Sequence, residues 1–370
     1  MGLWFEPEAV NPDSDLYRAH PDWALTEPGR EPVMGRFELL LDLTRPEVRD
    51  YIVENVSAVL DSAEITYVKW DMNRHMSDMF SPALENQGEF VHRYILGLYD
   101  VLRRIFCPRP GVLLESCSNG GNRFDLGMLC FSPQVWASDD TDPIERLEIQ
   151  SGLSYLYPPS AMGAHVSAAP HQQTLRNTPL STRFNVAAFG CLGYELDLRW
   201  LNRKEREEVR EQIAWYKAHR RTLQYGRFRR FAPAKDNKYH WQVSGEGEHI
   251  CGFFQTLAHA AEGGDILPVA GLEPEKEYSF ETKPQNIYVK QLGGLTKHVL
   301  PVELNPDGFL LRMANRLYAL RDGQQSLRAR GDMLMAGVRL HSQFRGAGYT
   351  GEIRMLGDYG SQLYVIREAE

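Results

Sequence analysis

Between residue 2 and about residue 225, short apolar runs alternate with segments whose apolar positions recur every three or four residues. The runs are GLWFE (2–6), FELLLDL (37–43), ITYVKWD (65–71), GVLLES (111–116), PQVWAS (133–138) and AAFGCLGYEL (187–196). Several are continuously apolar, the pattern of parallel strands covered on both faces. LSYLYP (153–158) fits a helix or a strand equally well. The helical segments carry their own signatures. Thr44 and Glu47 have capping-box spacing, Pro46 falls in the first turn, and Val48, Ile52, Val56 and Val59 form one apolar stripe. Val91, Tyr94, Ile95, Leu98, Leu102 and Ile105 form a second. A third helix, from about Asn202 to Leu223, is charged outside with Val209, Ile213 and Tyr216 inward. Repeated βα units of this kind predict a parallel α/β architecture, either a barrel or a doubly wound sheet.

Beyond about residue 228 the pattern changes to short strands between turn signals: SGEGE (244–248), EGGD (262–265), LGGL (292–295), NPDG (305–308) and RGAGYTGE (345–352). These predict a small antiparallel β domain, so the expected division is a parallel α/β barrel unit over 1–227 and a β domain over 228–370. GFLLRMANRLYALR (308–321) is open between helix and strand. No internal repeat and no low-complexity segment interrupts the chain.

Composition excludes several classes of function. The chain of 370 residues is 43% hydrophobic and 24% charged, with a formal net charge of −8. A nucleic-acid partner is not expected, because binding a polyanion calls for a concentrated basic face. The basic stretch HRRTLQYGRFRRF (219–231) reads as a solvated helix end beside a Glu/Arg-rich helix. No run of about 18 apolar residues is present, so no membrane span is expected. MGLWFEPE at the start lacks the basic and long apolar regions of a signal peptide. Cys107, Cys117, Cys130, Cys191 and Cys251 include no CxxC pair, and reduced thiols in a cytoplasmic protein are the expectation. The histidines form no HxxxH or HExxH pair, so neither zinc nor a cofactor is expected.

In parallel α/β folds chemistry gathers at the C-terminal ends of the strands. Glu6, Glu8, Asp71, Glu115 and Asp139 all follow strand candidates and are expected to ring such a mouth. In YVKWDMNR (67–74), strand alternation places Lys69 and Asp71 on one face and Trp70 on the other. An ammonium two residues from a carboxylate at a strand end holds it ionised and aimed; a Lys–Asp pair filling a barrel interior is the structural alternative. WASDDTDPIER (136–146) places three aspartates after an apolar strand. Asp142, with Pro143 and Glu145, reads as a helix start, which leaves Asp139 and Asp140 without a structural task. A calcium loop would need a glycine and a distal glutamate that DDTD lacks. In ESCSNGGNRFDLG (115–127), Gly120 and Gly121 permit close backbone approach to a ligand, whereas Cys117 has no neighbouring histidine to make it a nucleophile. Two carboxylates on different strands of one mouth suit glycoside hydrolysis. Asp71 beside Lys69 fits the ionised partner, and Asp139, crowded by Asp140 and Asp142, fits the acid.

GLWFEPE, YVKWDMNR, ESCSNGGNRFDLGMLCFSPQVWASDDTD, MGAHVSAAPHQQT and GDYGSQLYVI together resemble the bacterial α-galactosidases of glycoside hydrolase family 36. The resemblance implies a (β/α)8 TIM-type barrel with a C-terminal antiparallel β domain, and retaining hydrolysis of terminal α-galactosides such as melibiose and raffinose. It implies Asp71 as nucleophile and Asp139 as acid/base. Lys69 resembles the lysine that contacts sugar hydroxyls, Trp4 the tryptophan of the pocket wall, Cys117 and Gly120 the loop beside the galactose, and Arg36 a sugar-contacting arginine. Asn73, in the same motif as Asp71, joins the expected substrate-binding set. Family members often form tetramers, so a homo-oligomer accords with the resemblance.

Two departures from the family pattern stand out. CSNGGNR replaces the common CSGGGGR, which leaves α-N-acetylgalactosaminide hydrolysis as an alternative decided by the loop from Cys117 to Asn122. Family members are also about twice as long, and the segment resembling their third barrel strand stands at the start of this chain. The barrel is therefore expected to be incomplete at its N-terminus, with about six of eight strands and no counterpart of the family's paired aspartates. A shortened enzyme, or a catalytically silent chain needing a complementing N-terminal segment, follows from that expectation.

Overall fold

The structure is a computed structural model and describes residues 1–232, 237–299, 305, 308–346 and 348–369. The apolar runs become parallel strands wherever their alternation can set one face against helices. Strand β1 (Gly2–Phe5) pairs with β2 (Tyr67–Trp70), β2 with β3 (Leu113–Ser116) and β3 with β4 (Gln134–Trp136), all parallel. The register places Trp4 beside Lys69, Lys69 beside Glu115, and Glu115 beside Gln134, a polar row running across four strands. The alternate positions point the other way. Val68 and Leu114 are buried with helix α1 (Pro46–Asp61) and helix α2 (Phe90–Phe106), and Trp70 meets Phe106 edge-on at 6.2 Å. All of these elements belong to one compact unit, Met1–Asp139.

The apolar stripes of both helices shift from expectation by about one position. On α1 the buried residues are Val48, Ile52, Val56 and Leu60, with Val59 exposed. On α2 Val101 is buried and Val91 exposed. A period of 3.6 read over a few turns leaves such a drift undetermined. The capping box at Thr44 does not form: Arg45 is the N-cap residue and makes no side-chain cap. The Thr44 hydroxyl instead bonds Asp42 at 2.6 Å and Ser81 at 2.8 Å, because the buried Asp42 carboxylate needs donors. FELLLDL is a further correction. Only Leu39–Leu40 is extended, pairing antiparallel with Ala9–Val10, and the run lies outside the parallel sheet with its leucines in the core.

The second unit spans residues 140–370. In it β5 (Met162–Ser167) and β6 (Cys191–Glu195) pair parallel, with helices α3 (Pro143–Leu153), α4 (Leu180–Ala187) and α5 (Arg203–Tyr225). β5 went unread in the pattern because Gly163 and Ala164 dilute its apolar run. LSYLYP is neither strand nor helix interior: it is a turn after α3, with Tyr155 and Leu156 exposed. Asn202 caps α5 in a reciprocal box with Glu205.

The rest of the unit is built on a six-stranded antiparallel sheet. Its order is β11 (Ser326–Arg330), β10 (Glu277–Thr282), β12 (Ser361–Glu368), β9 (Glu248–Gln255), β8 (Lys238–Ser244) and β7 (Arg227–Phe231). SGEGE makes the β8–β9 hairpin turn, with Gly247 at a φ of 70°. LGGL falls within a 3-10 segment, Val289–Leu295. The ambiguous 308–321 segment is both helix and strand, with Phe309–Leu317 helical and Ala319–Arg321 extended. Of the remaining turn signals, Pro306 and Asp307 of NPDG and Ala347 of RGAGYTGE lie outside the described residues.

His240 on β8 makes this sheet acid-sensitive. It is 3% exposed, and neither ring nitrogen has a hydrogen-bond partner among the described residues. Burial pushes its pKa down to about 4, against the opposing pull of Asp265 and with Lys238 adding to it. The folded state therefore binds fewer protons here than the unfolded chain, whose histidine titrates near 6.5. The contribution is present in full above about pH 6.5 and is lost as pH falls toward 4, by roughly 3 kcal/mol in all. Urea midpoints measured between pH 7 and 4 should fall more steeply for the wild type than for His240→Phe; parallel curves would refute this.

Candidate active site

Strand alternation carries the polar row one step further, to the strand ends and just past them. Two residues beyond Trp4, Lys69, Glu115 and Gln134 stand Glu6, Asp71, Cys117 and Trp136. Asp71 is 6% exposed and both of its oxygens accept hydrogen bonds. Oδ1 takes the backbone N–H of Met72 at 2.8 Å, and Oδ2 takes the indole N–H of Trp4 at 3.2 Å. Asp139, three residues past β4, has the matching arrangement: the indole N–H of Trp136 reaches its Oδ1 at 2.8 Å. Each candidate carboxylate is thus aimed by a tryptophan. Trp4 is 53% exposed and Trp136 only 2%, so one indole is open to a ligand and the other is a buried support.

Lys69 does not pair with Asp71. Its ammonium forms an ion pair with Glu115 at 3.2 Å and lies over the Trp136 ring, 4.5 Å from the centroid. Glu115 is 1% exposed and also accepts from Tyr67 and Gln134, so it supports the site from beneath and does not line the mouth. The lysine, its glutamate and the indole behind Asp139 form one connected set. Trp136, Tyr67 and Gln134 escaped the sequence reading. Their signal was the strand register, which a single strand does not display.

Glu8 also leaves the expected ring of mouth residues. It is fully buried, with Arg123 bidentate at 2.6 and 2.8 Å, Trp70 Nε1 at 2.9 Å and Tyr94 Oη at 3.0 Å. Burial alone would raise its pKa, but the charge and hydrogen bonds of Arg123, helped by Trp70 and Tyr94, prevail and lower it. Glu8 follows β1, Trp70 ends β2 and Arg123 follows β3, so this pair ties three strand ends together.

Burial pushes the Cys117 thiol up to about 12, with Lys69 opposing and Asp71 adding to the rise. A thiol so firmly protonated is no nucleophile. Gly120, at a φ of 81°, and Gly121 meet protein backbone. A Cβ on Gly120 would lie 3.3 Å from Ser138 Cα, and one on Gly121 would lie 2.6 Å from the Ala137 carbonyl. The two glycines let the 117–121 loop press against the segment that presents Asp139.

Asn73 donates its backbone N–H to Glu6 at 2.8 Å, which holds the loop after Asp71. Arg36 is exposed at a φ of 53° in a tight turn, and no hydrogen bond or ion pair joins it to Asp71, Asp139 or Lys69 among the described residues. In the second unit Asp142 caps α3, accepting Ile144 N–H at 2.8 Å, and is paired with Arg176 at 3.3 Å. It therefore has the structural task assigned to it. A cavity of about 480 Å³ beside α1 and α2 holds none of these groups. Two ion pairs lie in its wall, Arg49 with Asp100 and Arg93 with Glu89.

The family model described as Melibiase matches residues 1–226 of the chain. The chain belongs to the melibiase family. Among its relatives, α-galactosidase AgaA of Geobacillus stearothermophilus is 50% identical over 286 residues, covering 76% of this chain and 39% of AgaA. α-Galactosidase Mel36A of Lactobacillus acidophilus is 44% identical over 282 residues, covering 75% of this chain and 38% of Mel36A. The crystal structure of the GH36 enzyme AgaA superimposes with a TM-score of 0.81 at 40% identity, covering all of this chain and 44% of that one. The α-galactosidase of Lactobacillus brevis gives 0.82 at 39% identity, with 44% of its chain covered. This chain thus spans about two fifths of the length of these melibiase relatives. Its fold is an incomplete TIM-type barrel with antiparallel sheet in the C-terminal region.

Proposed function

We propose that this chain carries the catalytic carboxylates of a retaining α-galactosidase acting on terminal non-reducing α-D-galactosides of the melibiose and raffinose type. The carrying observation is the pair Asp71 and Asp139 at the ends of two parallel strands, each receiving an indole N–H. The comparisons add chemical support. Variants of AgaA have been crystallised in complex with raffinose and with stachyose. In the proposed reaction Asp71 attacks the anomeric carbon while Asp139 protonates the departing glycosidic oxygen, and the C–O bond breaks. Asp139 then takes a proton from water, which displaces Asp71 and releases galactose with its configuration retained. Trp4 offers its exposed ring to the sugar, and Lys69 offers ammonium N–H groups not used on Glu115. Arg36, Asn73, Cys117 and Gly120 complete the proposed substrate-binding set.

We further assign 1–227 to the catalytic barrel segment and 228–370 to the β domain, and place the protein in the cytoplasm, a reading supported by five free cysteines. The test is release of p-nitrophenol from p-nitrophenyl α-galactoside by the purified chain. The anomer of the first-formed galactose is read by NMR at the same time. α-Galactose as first product supports the reading, and β-galactose overturns the retaining mechanism. No release from a folded sample would favour the second reading, a chain that needs a complementing segment, which the six parallel strands among the described residues, against the eight of a closed barrel, motivate.

A further inference from the structure

Among the described residues two lysines of the second unit are buried, and the protein treats them differently. Lys238 is 4% exposed and paired with the carboxylates of Glu262 and Asp265. Lys283, just past β10, is 5% exposed, and its ammonium has no hydrogen bond or ion pair among the described residues. It lies over two aromatic faces, 4.8 Å from the centroid of Phe184 and 5.6 Å from that of Trp215. It also lines a cavity of about 230 Å³ together with Glu208, Glu211, Gln212, Gln285 and Arg321.

The other polar groups of that wall are already engaged. Glu208 accepts from Tyr288 Oη at 2.6 Å and from Gln212 Nε2 at 3.0 Å. Gln285 donates to Asp322 and to the Ser361 carbonyl, both at 2.8 Å. Arg321 and Glu211 face each other at 3.7 Å. A lysine kept for structure alone would be paired as Lys238 is, since an unpaired buried charge is costly. An amine held away from water, against aromatic rings and open to a small cavity, has the environment of an activated nucleophile.

We propose that Lys283 is a nucleophilic amine that forms an imine with a small aldehyde admitted to this cavity. The nitrogen lone pair attacks the carbonyl carbon, the C–N bond forms, and the carbonyl π electrons move to oxygen. A proton passes from nitrogen to that oxygen. The carbinolamine then loses its hydroxyl as water, leaving Lys283 N=CH–R, so that amine plus aldehyde gives imine plus water. The cavity lies below the roughly 300 Å³ at which drug-sized pockets begin, which selects carbonyl compounds of a few carbons. Protonation supports the same reading. Burial brings the Lys283 pKa down to about 8; Glu208 and Glu211 oppose this and Arg321 adds to it. At pH 7.5 roughly a quarter of such an amine is neutral, against roughly a thousandth for a reference lysine near 10.4.

The test is reductive trapping on the wild-type chain. Glycolaldehyde and cyanoborohydride are added at pH 7.5, samples are quenched over time, and peptides are mapped by mass spectrometry for the C2H4O adduct. Lys283 is expected to be labelled at least about tenfold faster than the exposed Lys217 and Lys290, the remainder of its advantage in neutral amine being offset by restricted access and lower basicity. The advantage should vanish in guanidinium chloride. Equal or slower labelling of Lys283 in the native chain would overturn the proposal. The comparison is made within one folded molecule and depends on no variant.

Discussion

Asp71→Asn is expected to lower the rate of p-nitrophenyl α-galactoside hydrolysis by at least about 10⁴-fold, the scale on which removal of a covalent nucleophile is felt. The substitution preserves shape. An amide oxygen can still accept one of the two hydrogen bonds now received from Met72 N–H and Trp4 Nε1, so the fold should persist. What disappears is the anionic oxygen proposed to bond to the anomeric carbon. Asp139→Asn separates the roles. It should slow substrates with poor leaving groups far more than nitrophenyl galactosides, whose departure needs little protonation. Added azide should restore turnover to the Asp139 variant by attacking the galactosyl intermediate, and should do nothing for the Asp71 variant. Rescue of the Asp71 variant in its place would reverse the assignment of roles.

Arg123→Met is expected to destabilise the chain by roughly 3–5 kcal/mol, the cost of leaving one partner of a buried ion pair uncompensated. Glu8 has no exposure to water and would retain only its bonds to Trp70 and Tyr94. The double variant Glu8→Gln, Arg123→Met should recover part of the loss, because the uncompensated charge is then gone. Denaturant midpoints at pH 7 measure both. A loss below about 1 kcal/mol for Arg123→Met would show that the pair is not buried as described. The paired Glu8 carboxyl titrates below its unfolded value, so its contribution is present above the unfolded carboxylate range and is lost as pH falls through the folded pKa. Since the pair joins the ends of three strands, Arg123→Met should also raise KM for galactosides in whatever fraction stays folded.

The strands and helices that carry the candidate site were legible because their signals are local. Tyr67–Trp70 announces itself by alternation, α5 by Val209, Ile213 and Tyr216 recurring among charged positions, and α3 by Asp142 before Pro143. Weak local signals failed in consistent ways. Gly163 and Ala164 hid β5, and the leucines of 39–43 looked like a sheet strand although they pack a core beside a two-residue bridge. Gly120 and Gly121 illustrate the limit of a local reading. Small residues signalled a close approach, and only the coordinates show that what approaches is the backbone leading to Asp139.

From the sequence by itself came the alternation of parallel strands with helices, the placing of Asp71 and Asp139 just beyond two of the strands, and the resemblance that suggested their chemistry. Each rests on periodicity or on motifs within a few residues. The tertiary structure alone decided who partners whom. Lys69 turns to Glu115, 46 positions away, and not to Asp71 beside it; Glu8 takes Arg123 across 115 positions; Trp136 and Trp4 aim the two carboxylates; and Lys283 lies over aromatic rings with no carboxylate paired to it among the described residues. Register between strands distant in the chain sets these pairings. Burial then determines which charges must be matched, because a buried charge is tolerated only where the fold brings a partner to it.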